Sequence, residues 1–192
     1  MERRELEVTA VKGTYLRGLL ALPVGLLFLM TGVGNLGWTP LGDPLAFLTC
    51  LLALAALAFG INHYYNVHYG RVRLLRSQQL RFEVASLACF GIPMILGTIL
   101  DFRLDLPISA FDVLFGAGML VWFHLCVGLR PHHQIVWGAL IVVGLVPLWG
   151  GFDDRASVGW LPIGVATIVA GLLNHRALVR SFGPTTELHV GP

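Results

Sequence analysis

The chain has 192 residues, of which 56% are hydrophobic and only 12% charged, and its mean hydropathy is +0.75. Soluble domains carry about a quarter of charged residues, so this composition excludes an ordinary water-soluble fold. The formal net charge of +2 is too small to indicate a nucleic-acid-binding protein. We therefore expect an all-α integral membrane protein.

Six apolar runs follow one another along the chain, covering residues 15–36, 45–63, 82–100, 108–129, 134–149 and 158–174. A helix of about 20 residues crosses a hydrocarbon core of about 30 Å. The fifth and sixth runs are short by this measure, and the other four are close to it. The pattern predicts six transmembrane helices, arranged as three helical hairpins in one domain over 15–180, with cytoplasmic tails over 1–14 and 181–192.

The longest polar interruption, residues 61–81, is rich in arginine and follows the second apolar run. With six spans, this segment and both termini share one side of the membrane with all of the thirteen Lys and Arg residues except Arg103 and Arg155. Because Lys and Arg concentrate in short cytoplasmic loops, the segment and both termini are predicted to be cytoplasmic. We expect a multi-pass protein of the plasma or inner membrane.

Aspartates collect on the opposite, outer side, and Asp112 falls about one turn into the fourth apolar run. Carboxylates in apolar segments are costly and often mark ligand or ion pathways, and a negative face attracts cations. The pattern predicts an entrance for a ligand or cation formed by Asp112, Asp101, Asp105, Asp153 and Asp154. The alternative is that Asp112 only complements the dipole of its helix.

Histidines stand at the cytoplasmic ends of the second, fourth and sixth predicted helices: His63, His124 and His175. Neutral imidazoles from three helices in one layer could bind a metal ion or haem. Alternatively, each histidine complements the dipole at its own helix end.

Aromatic and basic residues alternate after the second run, where Tyr65 and Tyr69 precede Arg71, Arg73 and Arg76. Such a surface suits lipid headgroups, a partner subunit or a phosphate-containing ligand, and the sequence leaves these three alternatives open.

Small residues form stripes on the first and sixth runs. Gly18, Ala21, Gly25 and Gly32 share one face of the first, and Gly164 and Gly171 are one heptad apart in the sixth. In lipid, such stripes allow close helix packing. The stripe on the first helix could alternatively dock a partner.

No hydrolase, zinc-protease, phosphate-loop or dinucleotide-binding motif occurs, so nothing in the sequence argues for an enzyme. The leading hypothesis is a non-enzymatic subunit of a transport complex that binds a small molecule or cation. The alternatives are a membrane redox protein that uses the three histidines, and an anchor or regulatory subunit without a ligand. The expected partners are the bilayer and either a second copy or another subunit; no cofactor is specified.

Overall fold

The computed structural model describes residues 16–37, 43–70, 76–104, 106–147 and 152–182. Over these ranges the protein consists of helices without strands. The helix α3 runs continuously over 76–104, with a π-helical turn at Leu87–Gly91 between Arg76–Ser86 and Ile92–Leu104. The other helices of the described ranges are α1 (Ala21–Asn35, entered by a 3₁₀ turn at Gly18–Leu20), α2 (Pro44–His68), α4 (Ala110–Cys126), α5 (Pro131–Gly144) and α6 (Phe152–Phe182).

Local sequence explains where several helices begin. The Asp43 carboxylate accepts a hydrogen bond from the Leu45 N–H at 3.3 Å, and Pro44 occupies the first position of α2, where a missing N–H costs nothing. The Ser109 hydroxyl accepts a hydrogen bond from the Asp112 N–H at 3.2 Å and so caps α4. Pro131 begins α5.

Pro93 explains the π-helical turn in α3. Proline has no N–H to donate to the carbonyl four residues earlier, and its ring crowds that carbonyl. The Ile92 N–H donates a hydrogen bond to the Leu87 carbonyl, five residues earlier in the chain. The helical turn just before the proline therefore contains one residue more than an α-helical turn. A Cβ added at Gly118 of α4 would meet the Cys89 carbonyl and the Pro93 ring, so α4 packs directly on this turn.

Four helical stretches are long and apolar enough to cross a membrane: Gly18–Asn35, Pro44–His68, Phe82–Leu104 and Val158–Ser181. Helix α4 is apolar but has 17 residues, and α5 has 14. Six spans in three hairpins therefore stay a prediction, as does the cytoplasmic position of the termini. Several predicted boundaries differ by five or more residues. Helix α2 ends at His68 instead of near 63, α3 begins at Arg76 instead of near 82, and α5 ends at Gly144 instead of near 149. Helix α6 covers Phe152–Phe182 instead of about 158–174.

The glycine stripes on α1 and α6 pack against each other, a pairing that the sequence did not specify. A Cβ at Gly25 would lie 2.8 Å from the Gly164 carbonyl oxygen, and one at Gly171 would lie 2.6 Å from that of Gly18. Only glycine permits this approach of two antiparallel backbones. The stripe on α1 is thus used within the chain, so its glycines are not free to dock a partner.

Helix α4 provides much of the core, whereas α2 lies at the periphery. Phe111, Phe115 and Phe123 of α4 are buried together with Trp137 of α5. Tyr65 is the only buried residue of α2, and Phe59 is 76% exposed. Large apolar surfaces of this kind are rare on soluble monomers and are satisfied by lipid, which supports assignment as a membrane protein.

Polar contacts define two ends of the bundle. At the Asp112 end, α4 and α6 begin while α3 and α5 finish; the Ser109 N–H donates to the Gly144 carbonyl across 2.9 Å there. At the Asn174 end, α5 begins while α2, α4 and α6 finish.

Candidate functional site

The structure brings together two of the five aspartates predicted to form an entrance, and it buries both. Asp101 is 4% exposed and Asp112 is 2% exposed. Asp105 lies outside the described residues. Asp153 and Asp154 belong to the first turn of α6, at the same end of the bundle, but their side chains lie outside the described part.

Asp101, near the end of α3, holds the beginning of α4. Its Oδ1 accepts a hydrogen bond from the Ala110 N–H at 2.6 Å, and its Oδ2 accepts one from the Phe111 N–H at 3.1 Å. These N–H groups have no partner within their own helix, and a carboxylate there also complements the helix dipole. Both oxygens of Asp101 are thereby occupied, which gives this residue a structural role.

Asp112 differs from Asp101, because its Oδ1 is buried and has no hydrogen-bond partner among the described residues. Leaving a carboxylate oxygen unpaired away from water is expensive, so native proteins rarely do so without a functional reason. Among the buried carboxylates that the structure describes at this end, Asp112 is therefore the one with capacity to bind a further group.

Two glycines from neighbouring helices surround the Asp112 carboxylate. A Cβ at Gly144 of α5 would lie 2.7 Å from the Asp112 Cβ, so glycine lets α5 approach closely. A Cβ at Gly159 of α6 would lie 3.4 Å from both Asp112 Oδ1 and Ser109 Oγ, and 3.5 Å from Asp112 Oδ2. Three oxygen atoms thus converge on one small space, and the missing side chain of Gly159 keeps that space open.

Oxygen atoms alone suit a hard cation better than a soft transition metal. The donors present are one carboxylate and one hydroxyl, and the helices around them are apolar. The arrangement can hold a proton or a small cation such as Na⁺, with other ligands supplied by water.

Two further buried polar atoms have no partner within the described ranges: Trp137 Nε1 of α5 and Thr167 Oγ1 of α6. Trp137 lies one turn after His133, and Thr167 lies two turns before Asn174. Both therefore fall between the Asp112 end and the Asn174 end. Polar groups are costly to bury at membrane depth, so these two atoms are the other described places where a polar ligand could be bound.

The Asn174 end carries a polar cluster whose hydrogen bonds are satisfied. The Asn174 side-chain oxygen lies 2.9 Å from His132 Nε2 and 2.8 Å from His133 Nε2. His133 Nδ1 accepts a hydrogen bond from the Arg130 N–H at 3.3 Å, so its Nε2 carries the proton and donates to Asn174. His133 is fully buried, and its ring stacks on Phe123 with centroids 3.7 Å apart.

A second group at this end joins α1, α2 and α6. The Tyr65 hydroxyl accepts a hydrogen bond from the Leu19 N–H at 3.0 Å and lies 2.9 Å from His175 Nδ1, to which it can donate. Arg17 donates to the Asn66 side chain at 3.1 Å and to the Gly70 carbonyl at 2.7 Å. These contacts fix the end of α2, which otherwise packs little against the bundle.

The predicted histidine metal site is not assembled by the structure. His63 and His124 are exposed, whereas His175 is bonded to Tyr65. No group of three or more His, Cys, Asp or Glu residues in the described part of the chain is placed to hold a metal ion.

The predicted contact surface is only partly described. Tyr65 does not belong to an exposed surface, because Arg17 and His175 cover it and it is 0% exposed. Burial and the neighbouring Tyr64 raise the pKa of the partly exposed Tyr69 phenol. Arg76 is exposed, and Arg71 and Arg73 lie outside the described residues.

Three residues of these clusters were not predicted from the sequence to be functional: Ser109, Gly159 and Asn174. Gly159 gives no local signal, because its role depends on packing against α4. Asn174 could have been selected by the rule that identified Asp112, since it is also polar within an apolar run. Comparison of the chain with protein-family models, curated proteins and solved structures found no significant match.

Proposed function

We propose that this protein is a membrane protein that binds a small cation at Asp112 and contributes to cation-coupled transport. Asp112, Ser109 and the space beside Gly159 form the site. The single observation that carries the proposal is the buried Asp112 Oδ1, which has no partner among the described residues.

The neighbouring carboxylate supports this assignment. Asp101 is likewise buried near the start of α4, yet both of its oxygens accept backbone N–H groups. A helix start needs only such a cap, and Asp101 and Ser109 already provide it. A second buried carboxylate is therefore not required to begin α4, which leaves cation binding as the better explanation for Asp112.

The position of the site supports a role in transport. Asp112 lies at one end of the bundle, and the unpaired atoms of Trp137 and Thr167 lie between it and the other end. A cation-binding carboxylate and a sparse series of polar groups through an apolar bundle are typical of membrane proteins that move protons or cations. We assign the chain the role of a non-enzymatic transport subunit on this ground.

The test compares Asp112→Asn with Asp43→Asn, a control at an exposed helix cap on the same end. The purified protein is heated in detergent with Na⁺, K⁺, Mg²⁺ or Ca²⁺, and at several proton concentrations. A ligand that binds only the folded state at 100 times its Kd stabilises that state by about 2.7 kcal/mol. We expect one cation, or the proton, to raise the unfolding temperature of the natural protein and of Asp43→Asn, but not of Asp112→Asn.

Retention of the cation effect in Asp112→Asn would contradict the proposal. So would the absence of any such effect in the natural protein.

A further inference from the structure

A second site lies at the Asn174 end, where the start of α5 meets the last turns of α6. It is a cavity of about 350 Å³ whose lining includes Arg130, His132, Arg176 and Arg180. Three arginines thus line one cavity, and no acidic residue belongs to its described lining. Arginine clusters of this kind bind phosphate groups, because the guanidinium matches the geometry of phosphate oxygens.

An apolar groove of about 380 Å³ lies between the same two helices. Ile135 and Ala139 of α5 line one wall, and Val165 and Val169 of α6 line the other. Its described lining consists of apolar residues alone, including Pro162 deep within α6.

The residues that line the two spaces follow one another along both helices. On α6, Val169 of the groove is one turn from Leu173, which lines the arginine cavity. On α5, Ile135 of the groove is one turn from Pro131 of the cavity. We refer to the arginine cavity and the apolar groove together as the trough, which is cationic at one end and apolar along the rest.

The length of the trough matches a lipid chain. From Leu173 of the arginine cavity to Pro162 of the groove, the trough follows α6 for about 16 Å at 1.5 Å per residue. One leaflet contributes about half of a hydrocarbon core of about 30 Å. A molecule with a phosphate in the arginine cavity would thus place one acyl chain along the whole groove.

We propose that this trough is a specific binding site for an anionic phospholipid, with the lipid phosphate among Arg130, Arg176 and Arg180 and one acyl chain between α5 and α6. The positive charge of the arginines favours an anionic headgroup. The apolar groove favours a lipid over a free phosphate ion, because only the lipid has an acyl chain to occupy it. The proposal does not depend on the cation site, which lies at the other end of the bundle.

Native mass spectrometry of the delipidated full chain tests the proposal, with dioleoyl phosphatidylglycerol, dioleoyl phosphatidylcholine and inorganic phosphate as separate probes. We expect one phosphatidylglycerol to bind, with phosphatidylcholine at least tenfold weaker, and no displacement by millimolar phosphate. Each arginine near a membrane surface contributes about fivefold to the binding of anionic lipid, so the triple variant R130Q/R176Q/R180Q should bind on the order of a hundredfold more weakly. The single variant Arg180→Gln should lose about fivefold.

Matched controls separate the site from general surface charge and apolarity. Arg76→Gln removes an exposed arginine outside the cavity and should leave binding unchanged. Ala139→Phe fills the groove and should weaken phosphatidylglycerol binding at least tenfold, whereas Val142→Phe, on the same helix but outside the groove lining, should not.

Equal binding of the two lipids would overturn the proposal, as would unchanged lipid binding by Arg180→Gln and the triple variant. Displacement of the lipid by millimolar inorganic phosphate would also overturn it, because it would identify a simple anion site.

Discussion

The two ends of the bundle bury polar side chains in opposite ways. At the Asn174 end, one side-chain oxygen faces two imidazoles, and the buried His133 ring has partners on both nitrogens. At the Asp112 end, a carboxylate that is 2% exposed keeps one oxygen without a partner in the described part of the chain. The polar side chains of the two ends are similarly buried, but they differ in whether their polar atoms have hydrogen-bond partners.

This difference separates a structural cluster from a candidate binding site. A satisfied network contributes modestly to stability and orients the helices that it joins, and its loss leaves unpaired atoms behind. An unsatisfied carboxylate opposes folding, so a cation that neutralises it stabilises the folded state. Variants at the Asn174 end should therefore change stability, whereas variants at the Asp112 end should change the response to cations.

The largest expected effect is at Gly159, where a methyl group would enter the space shared by three oxygens. Gly159→Ala would place its Cβ 3.4–3.5 Å from Asp112 Oδ1, Asp112 Oδ2 and Ser109 Oγ, which is ordinary van der Waals contact. The fold should tolerate it, and alanine in a helix interior is favoured over glycine by about 0.5–1 kcal/mol. We expect the cation-dependent rise in unfolding temperature to disappear while the stability without the cation stays equal or increases.

Gly138→Ala is the matched control for this variant. Gly138 also lies within a helix, and a Cβ there would have nothing within 4 Å. It should keep the full response to the cation. An equal response in Gly159→Ala would show that the space beside Gly159 is not the binding site.

Asn174→Ala should have the next largest effect, and on stability alone. It leaves the buried Nε2–H group of His133 without its acceptor, at a cost of about 1–3 kcal/mol. The free energy of unfolding in mixed micelles should fall by this amount, and the response to the cation should persist. Asn62→Ala, at an exposed position of α2, is the control and should change little. Loss of the cation response in Asn174→Ala would remove the distinction between the two ends.

A smaller effect is expected at the contact between α2 and α6. Tyr65→Phe removes the hydroxyl that accepts from the Leu19 N–H and pairs with His175 Nδ1, with a cost of about 0.5–1.5 kcal/mol. A double-mutant cycle with His175→Phe measures the shared contact by unfolding free energies. The two changes should cost less together than the sum of each alone, because the same hydrogen bond is lost in both. Strict additivity would argue against a Tyr65–His175 bond.

Much of the fold could be predicted from hydropathy, because apolar side chains must be shielded from water wherever they occur. Each of the six apolar runs corresponds to a helix. The glycine stripe on α1 was also predicted, since close packing in lipid requires small residues, and it contacts α6. The helix ends were predicted less accurately, because hydropathy does not indicate where a helix continues into polar residues: α6 covers Phe152–Phe182, whereas its apolar run covers 158–174.

The candidate site was predictable only in part. Asp112 was identified because a carboxylate in an apolar run is costly, and this signal is local. The partners of the polar residues are not local: His133 and Asn174 are 41 positions apart, and Tyr65 and His175 are 110 apart. Nor could the sequence indicate that Asp101 is satisfied while Asp112 is not, because hydrogen bonding depends on the packed helices.

Cation binding by the Asp112 carboxylate can be tested through the chemical reactivity of that carboxylate. The apolar reagent dicyclohexylcarbodiimide modifies protonated carboxyl groups in membranes, and peptide mass spectrometry locates the adduct. We predict an adduct on Asp112 whose yield falls at least tenfold when the stabilising cation is added, or when the pH is raised if that cation is the proton. Cation binding at Asp112 would be contradicted by an adduct on Asp112 that no cation suppresses. It would also be contradicted if other carboxyl groups were modified and Asp112 were not.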